Sequence, residues 1–157
     1  MRRIFLLAIV FIFFAATGLK AQEINTSSSY ETAIGLKFGP GAISVKHFVN
    51  EGVAIEGLGY FTSYGFRLTG LYEFHHDITS VEGLKWYVGP GVHVGFYNSA
   101  YGGGSSLGID GVLGLDYKFQ GAPINASLDW QPSFEFGSIG YDGFVGNWGG
   151  LGIRYTF

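Results

Sequence analysis

Four histidines are the side chains of this sequence best suited to acid–base or metal chemistry: His47, His75, His76 and His93. The apolar phase of its segment places His93 on the polar face, and the preceding segment carries Glu73 and His75 on its polar face. A histidine beside a carboxylate can act as a general base. No His-X-Ser motif accompanies them. Because buried polar groups are usually hydrogen-bonded to one another, we expect these residues to form a structural network.

Three other features of the sequence were candidates for a metal site, a phosphate-binding loop or cysteine chemistry, and none of them supports such a function. His75-His76-Asp77 contains metal-ligand residue types, but adjacent residues of a strand point to opposite faces. The glycine-rich run 101–108 lacks the lysine and the following helix of a phosphate-binding loop. The chain has no cysteine, which excludes disulfides, thiolate metal sites and a cysteine nucleophile. We therefore expect no metal ion, no cofactor and no enzymatic activity.

The composition indicates β-structure in a membrane. The 157 residues include 27 glycines, 18% aromatic residues and only 13% charged residues, about half the roughly 25% of an average soluble domain. A hydrophobic fraction of 47% excludes a disordered chain. The net charge of −3 argues against a nucleic-acid partner, which requires a basic patch.

The first 21 residues are typical of a secretory signal peptide. Arg2 and Arg3 precede a thirteen-residue apolar run at 4–16, and Ala21 offers a small residue before the predicted cleavage site. A membrane-spanning helix would need roughly 20 apolar residues, so an anchor is the weaker alternative. Residues 22–29 form a predicted periplasmic tail, and 30–157 the remaining domain. The mature chain keeps six basic and twelve acidic residues, a net charge of −6.

Eight segments of alternating apolar and polar residues follow, which is the pattern of β-strands. The segment 124–136 is the clearest, with apolar residues at every even position. The segment 53–61 loses the alternation, and a bulge near 57–59 would explain the loss. Pro40 lies in a predicted turn, whereas the phase continues across Pro90, so that strand should run through the proline. The predicted connections are 50–52, 77–83 and 120–123 at one end, and 40–41, 62–64, 98–106 and 137–147 at the other.

The placement of charge distinguishes a membrane barrel from a soluble one. A soluble eight-stranded barrel carries its apolar face inside, whereas a membrane barrel carries it outside. Lysine or arginine facing lipid costs roughly 2–4 kcal/mol at mid-depth. Six basic and six acidic residues share the polar face and should form a paired network in the lumen. They are Lys37, Lys46, Glu56, Arg67, Glu73, Lys85, Asp110, Asp116, Lys118, Asp129, Glu135 and Arg154. We therefore predict an all-β, eight-stranded, antiparallel up-and-down transmembrane β-barrel.

The segments 86–96, 128–135 and 151–157 resemble those of the small eight-stranded outer-membrane barrels of Gram-negative bacteria, the OmpA/OmpX-like class. The resemblance extends over roughly residues 30–157. It implies an outer-membrane location with both termini in the periplasm, contact with outer-membrane lipid and a monomeric state. A last strand with Tyr155 and the terminal Phe157 is similar to the signal that the barrel-assembly machinery recognises in this class.

The resemblance says little about activity, because one fold can serve many functions. The expected role is structural or surface-interacting, with a filled lumen. A small lipid-modifying hydrolase and a minor porin-like channel are the alternatives. Aromatic residues near the second set of connections (Tyr97, Tyr101, Tyr141, Phe144 and Trp148) could form a binding tip for glycans or proteins. They could equally be the aromatic girdle of a membrane barrel, which is the preferred interpretation.

Overall fold

The protein is an eight-stranded β-barrel. A computed structural model describes residues 30–101, 103–137 and 143–157. Its strands are β1 (Thr32–Phe38), β2 (Ala42–Asn50), β3 (Val53–Thr62), β4 (Gly65–Asp77), β5 (Leu84–Tyr97), β6 (Gly104–Lys118), β7 (Ile124–Gly137) and β8 (Gly143–Thr156). A single 3-10 turn at Ser99–Tyr101 follows β5. The predicted signal peptide and periplasmic tail lie outside the described residues.

Every strand pairs with its neighbours in the chain, and β8 closes the ring by pairing with β1. All pairs are antiparallel; Ile34 lies opposite Tyr155 at the closing seam and opposite Val45 on its other side. The predicted all-β, eight-stranded, antiparallel up-and-down barrel is therefore confirmed. We call the end that holds Tyr30 and Phe157 the terminal end. The opposite end, with the turns at 39–41 and 63–64 and the 3-10 turn after β5, is the loop end.

The two faces of the wall follow the sequence alternation, because side chains of successive strand residues point to opposite sides. In β7 the residues Phe134 and Leu128 are exposed on the outside, whereas Asp129 and Ser133 are buried inside. The same division holds for apolar and charged residues around the ring. Among the described residues, no helix is long and apolar enough to cross a membrane.

Two predicted irregularities differ from the structure. The register of β3 against β4 is continuous through Gly57 and Gly59, so the bulge predicted there is wrong. Leu58 and Tyr60 simply face the lumen, where they pack against other apolar side chains. The extra residue lies instead in β2, between Phe48 and Asn50. The loops predicted at 98–106 and 137–147 are shorter, because β6 begins at Gly104 and β8 at Gly143.

Two prolines interrupt the hydrogen-bond ladders without ending a strand. As predicted, β5 continues through Pro90, although its pairing with β4 is broken opposite Tyr72 and Glu73. Proline has no N–H to donate to a ladder, which explains the gap. Near Pro132 the pairing of β7 with β8 shifts, and β8 carries one extra residue between Val145 and Trp148.

Candidate functional site

The lumen is the part of the barrel that concentrates polar chemistry. Eleven of the twelve residues of the predicted network are buried, and Lys85 is the exception. Glycines on the inward face make room for them: a Cβ on Gly114 would lie 2.6 Å from Tyr87 Cζ and 2.6 Å from Asp129 Cβ. An eight-stranded barrel has an interior that side chains can just fill. The lumen is therefore packed with charged and aromatic side chains.

The largest ion-pair cluster lies toward the terminal end. Lys46 Nζ lies 2.8 Å from Glu73 Oε2, 3.6 Å from Glu56 Oε2 and 3.5 Å from Asp116 Oδ2. The Arg154 guanidinium binds the Glu56 carboxylate and donates to Ser44 Oγ at 2.6 Å. Since these groups come from strands all around the ring, the cluster connects the walls across the lumen.

A second cluster lies toward the loop end and is centred on Arg67. Its guanidinium donates to Asp110 Oδ1 at 2.5 Å and to Glu135 Oε1 at 2.9 Å. Its Nε also donates to Thr69 Oγ1 at 3.3 Å. The indole ring of Trp148 covers the guanidinium, with 4.2 Å between Cζ and the ring centroid. Arg67 is thus held on several sides.

Between the two clusters lies a simple ion pair. Lys37 Nζ is 2.7 Å from Asp129 Oδ2, and both side chains are completely inaccessible to solvent. The Tyr87 hydroxyl donates to the same carboxylate oxygen at 2.7 Å. Buried charges of this kind are stable only when paired, because each would otherwise lose its hydration without compensation.

Both inward-facing histidines bind carboxylates. His75 Nε2 lies 2.9 Å from Glu73 Oε2, and His93 Nδ1 lies 2.8 Å from Asp110 Oδ2. Each ring is thus hydrogen-bonded to a carboxyl group of the network. His75 also stacks on Tyr87 with ring centroids 4.8 Å apart. The geometry gives these histidines the network contacts that the sequence favoured.

His76 lies on the other face of β4. Its ring stacks on the outward-facing Trp86, with the ring centroids 4.5 Å apart. His75 and His76 therefore point away from each other, as the strand argument against a metal site requires. The described residues contain no group of three or more histidine, cysteine or acidic side chains that could hold a metal ion.

Two members of the predicted network lie at the rim of the terminal end instead. Lys85 Nζ lies 3.2 Å from Asp77 Oδ1, and the Asp77 side chain is 74% exposed. Lys118 Nζ donates to the backbone carbonyls of Phe119 and Ala122, at 2.9 and 2.7 Å. Both lysines occupy strand ends, from which a long side chain reaches the rim more readily than the lumen. The alternation of apolar and polar residues predicted correctly that both lysines lie on the inner side of the wall. It did not predict that they lie at the rim of the barrel.

With the two rim lysines set aside, the lumen holds an excess of acidic groups. Four cations of the predicted network face its six carboxylates: Lys37, Lys46, Arg67 and Arg154 against Glu56, Glu73, Asp110, Asp116, Asp129 and Glu135. The hydroxyl groups of tyrosine and serine donate to these carboxyl groups, and the two histidines form further hydrogen bonds with them. The interior is therefore a hydrogen-bonded charge network rather than a set of six isolated ion pairs.

An apolar cluster inside the lumen was missed by the sequence reasoning. It consists of Ala42, Leu58, Tyr60, Leu71, Tyr87 and Val112, with Trp148 packed against it. The disturbed alternation of 53–61 was the signal for it, because apolar residues there occupy both faces. Its Tyr60 hydroxyl donates to the Gln131 side-chain carbonyl, so the cluster is linked to the polar network.

The two predicted assembly residues complete the closing seam. The Tyr155 side chain faces outward and is 51% exposed. Its ring meets that of Phe157 edge-on, with centroids 4.9 Å apart. The Phe157 N–H donates to the Thr32 carbonyl at 2.8 Å, so the final residue is tied to β1.

Each end of the barrel has a cavity. The cavity of about 750 Å³ at the terminal end is lined by residues that include Phe48, His75 and Lys85. Tyr30 also lines it and donates to Asp116 Oδ2 at 3.1 Å. Burial and then the adjacent Asp116 carboxylate raise the pKa of Tyr30, so its hydroxyl stays protonated as the donor. A smaller cavity of about 280 Å³ lies at the loop end, against Arg67 and Trp148.

Fold and lumen together define a closed, eight-stranded, antiparallel up-and-down barrel with a charged interior and an apolar exterior. This architecture is consistent with an OmpA/OmpX-like barrel. Comparison of the chain with protein-family models, curated proteins and solved structures gives no match.

Proposed function

We propose that the protein is an integral outer-membrane β-barrel of the OmpA/OmpX-like class. One observation carries the proposal: large apolar side chains are exposed on the outward face of every strand, while charged side chains are buried inside. Representative exposed residues are Ile34, Ile43, Ile55, Leu68, Val92, Leu107, Leu128 and Leu151, one for each strand. An apolar surface that encircles the molecule would drive aggregation in water, but it is the expected surface in lipid.

The proposed topology has both termini in the periplasm and the loop end outside the cell. In this topology the signal peptide directs export, and the strand ending in Phe157 is presented to the barrel-assembly machinery. The barrel contacts outer-membrane lipid as a monomer, because its closed ring leaves no strand edge to pair with another copy. Nucleic acid is not a proposed partner.

We propose a structural or surface-interacting role, without enzymatic activity. The lumen is crossed by ion pairs, and Lys46, Tyr87 and Arg154 within it are at most 1% exposed. This packing favours a scaffold over the porin-like alternative. The hydrolase alternative would need a histidine that contacts a nucleophilic hydroxyl in a cleft. Within the described residues, the hydrogen bonds of His75 and His93 go to carboxyl groups. His47 contacts Thr32 Oγ1 at 2.9 Å, but this pair is exposed.

The membrane location can be tested by differential migration in detergent gels. A closed barrel resists unfolding by detergent, so unheated and boiled samples of the membrane-extracted protein should migrate differently. The protein should also stay in the membrane fraction after an alkaline wash. Identical migration together with release by alkali would refute the membrane barrel and favour a soluble one.

The filled lumen can be tested by planar-bilayer conductance of the refolded protein. The wild-type monomer should give no channel steps, because the ion pairs leave no continuous water path. The matched control is the same preparation unfolded by heat, which defines the background. Reproducible steps from the folded sample alone would replace the scaffold with the porin-like channel.

A further inference from the structure

The cavity at the loop end is enclosed mainly by rings. Pro40, Tyr64, Phe66, Tyr97 and Trp148 line it, and they come from the β1–β2 turn, the β3–β4 turn and the adjoining strands β4, β5 and β8. Its volume is about 280 Å³. Pockets for small molecules typically measure about 300–1,000 Å³, so this one has room for a single ring-sized group. Apolar surface at a water-facing end is unfavourable unless something covers it.

The backbone is distorted at the point where it supplies Trp148. The extra residue of β8 lies between Val145 and Trp148, and Gly149 follows with a φ of +131°, a conformation that side chains disfavour. Bulges at barrel rims commonly redirect a side chain. Here the Trp148 ring meets Tyr60 edge-on at 4.9 Å between centroids and lies over Arg67. The distortion thus positions an indole at the mouth of the lumen rather than in the outer girdle.

The floor of the cavity is polar but not free to bind an anion. Arg67 is only 5% exposed and is paired with both Asp110 and Glu135. Two carboxylates on one guanidinium leave no net positive charge to attract a further anion. Three of the five guanidinium N–H groups donate to Thr69, Asp110 and Glu135. The other two can donate to a neutral hydroxyl.

We propose that this cavity binds one neutral sugar ring, such as the hexose of a surface glycan. The C–H faces of a pyranose pack on aromatic rings, and its hydroxyls bind the polar groups at the cavity wall. Thr62 and Asn147 line the wall: the Thr62 hydroxyl donates to the Gly65 carbonyl and can still accept a hydrogen bond, and the Asn147 amide can donate and accept. The inference deepens the proposed surface-interacting role and rests on it, since a glycan would reach the loop end from outside the cell.

The test uses the indole N–H resonances of the intact protein. Of the three tryptophans of the chain, Trp86 faces outward and serves as the internal control. Trp130 also faces outward, but its indole N–H donates to the Gly146 carbonyl beside the cavity, so it is no independent control. The ¹⁵N-labelled barrel, in a zwitterionic detergent without sugar groups, is titrated with methyl glucoside, methyl mannoside and methyl N-acetylglucosaminide. The Trp148 resonance is assigned by its loss in Trp148→Phe. At least one glycoside should shift this resonance saturably and leave the Trp86 resonance unchanged, with a Kd on the order of 1 mM for so small a ligand.

A pair of variants provides the second readout. Tyr64 is 56% exposed at the cavity, and Tyr64→Ala should weaken the binding about tenfold, the equivalent of about 1.4 kcal/mol. Tyr72 faces outward from the barrel wall, so Tyr72→Ala should bind like the wild type. Any variant that fails to fold lacks the heat-dependent gel shift, and the wild-type titration then decides alone.

Three results would overturn the sugar site. They are the absence of a saturable Trp148 shift with all three glycosides, equal shifts of the Trp148 and Trp86 indoles, and binding of phenol or indole in place of the sugars. Failure of the outer-membrane proposal has a different signature, because it is seen in gel migration and alkaline extraction and not in the titration.

Discussion

Replacing Asp129 by asparagine should destabilise the barrel by about 3–5 kcal/mol, the cost of leaving a buried charge unpaired. The Lys37 ammonium lies 2.7 Å from this carboxylate, and neither side chain is accessible to solvent. An exposed pair would contribute only about 0–1 kcal/mol, because water screens it. The expected loss of stability therefore depends on whether water reaches the pair of Lys37 and Asp129.

Equilibrium unfolding in urea, followed by tryptophan fluorescence in lipid vesicles, measures this cost. With a urea dependence of about 1–3 kcal/mol per molar, Asp129→Asn should lower the midpoint by at least about 1 M. Asp77→Asn is the matched control, since Asp77 pairs with Lys85 at the rim and is largely exposed. The Asp77→Asn variant should lower the free energy of unfolding by less than about 1 kcal/mol.

A double variant separates the cost of an unpaired charge from the value of the pair. Lys37→Met with Asp129→Asn removes both charges, nearly keeps the volume, and leaves an amide oxygen to accept the Tyr87 hydroxyl. Such replacements of buried ion pairs are often neutral or stabilising, so most of the lost stability should return. If Asp129→Asn costs no more than Asp77→Asn, water reaches the pair and the filled lumen is refuted.

Further predictions concern space, assembly and export. Gly114→Ala should lower the free energy of unfolding by about 1–3 kcal/mol in the same urea assay, because the new Cβ would collide with Tyr87. Gly111 faces outward, and Gly111→Ala should leave the midpoint nearly unchanged. Equal effects of the two variants would show that the lumen has spare room. Deleting Phe157 should lower the folded yield in cells but permit refolding in detergent, as judged by gel migration; an unchanged yield in cells would count against its role in assembly. N-terminal sequencing of the mature protein should find cleavage directly after Ala21, and an intact first residue would disprove export by this signal.

The faces of the strands could be predicted from the sequence because alternation has a period of two and tolerates small errors in strand ends. Asp129 and Leu128 differ by one residue and lie on opposite sides of the wall, as expected. The continuation of β5 through Pro90 was predictable for the same reason, since the apolar phase does not change there.

The partners within the lumen could not be predicted in the same way. Alternation gives the face of a residue but neither its height nor its position around the ring. Lys85 shares the phase of Tyr87 but lies at the rim, and Arg67 meets Asp110 two strands away. Such distances depend on the stagger of the closed barrel, which is a property of the whole ring.

The positions of the bulges could not be predicted from the sequence for a related reason. An apolar pattern that fails, as in β3, has two explanations: an extra residue, or apolar side chains that truly face inward. The second is correct for Leu58 and Tyr60, because the lumen has an apolar cluster. The Trp148 side chain points inward because β8 has an extra residue. The short, glycine-rich sequence around it has no clear alternation from which this extra residue could be predicted.

The ion pairs across the lumen have a consequence for the order of folding. Each of the four cations in the lumen forms its shortest ion pair with a strand that is not a neighbour of its own: β1 with β7, β2 with β4, β4 with β6, and β8 with β3. A half-built sheet therefore leaves part of its polar face unpaired, although Lys46 can already contact Glu56 and Glu73 within the first four strands. Glu56, in the first half of the chain, obtains its arginine only when β8 arrives. We expect intermediates that lack the last strand to stay open and hydrated, so that barrel closure and the loss of interior water occur together as one cooperative step.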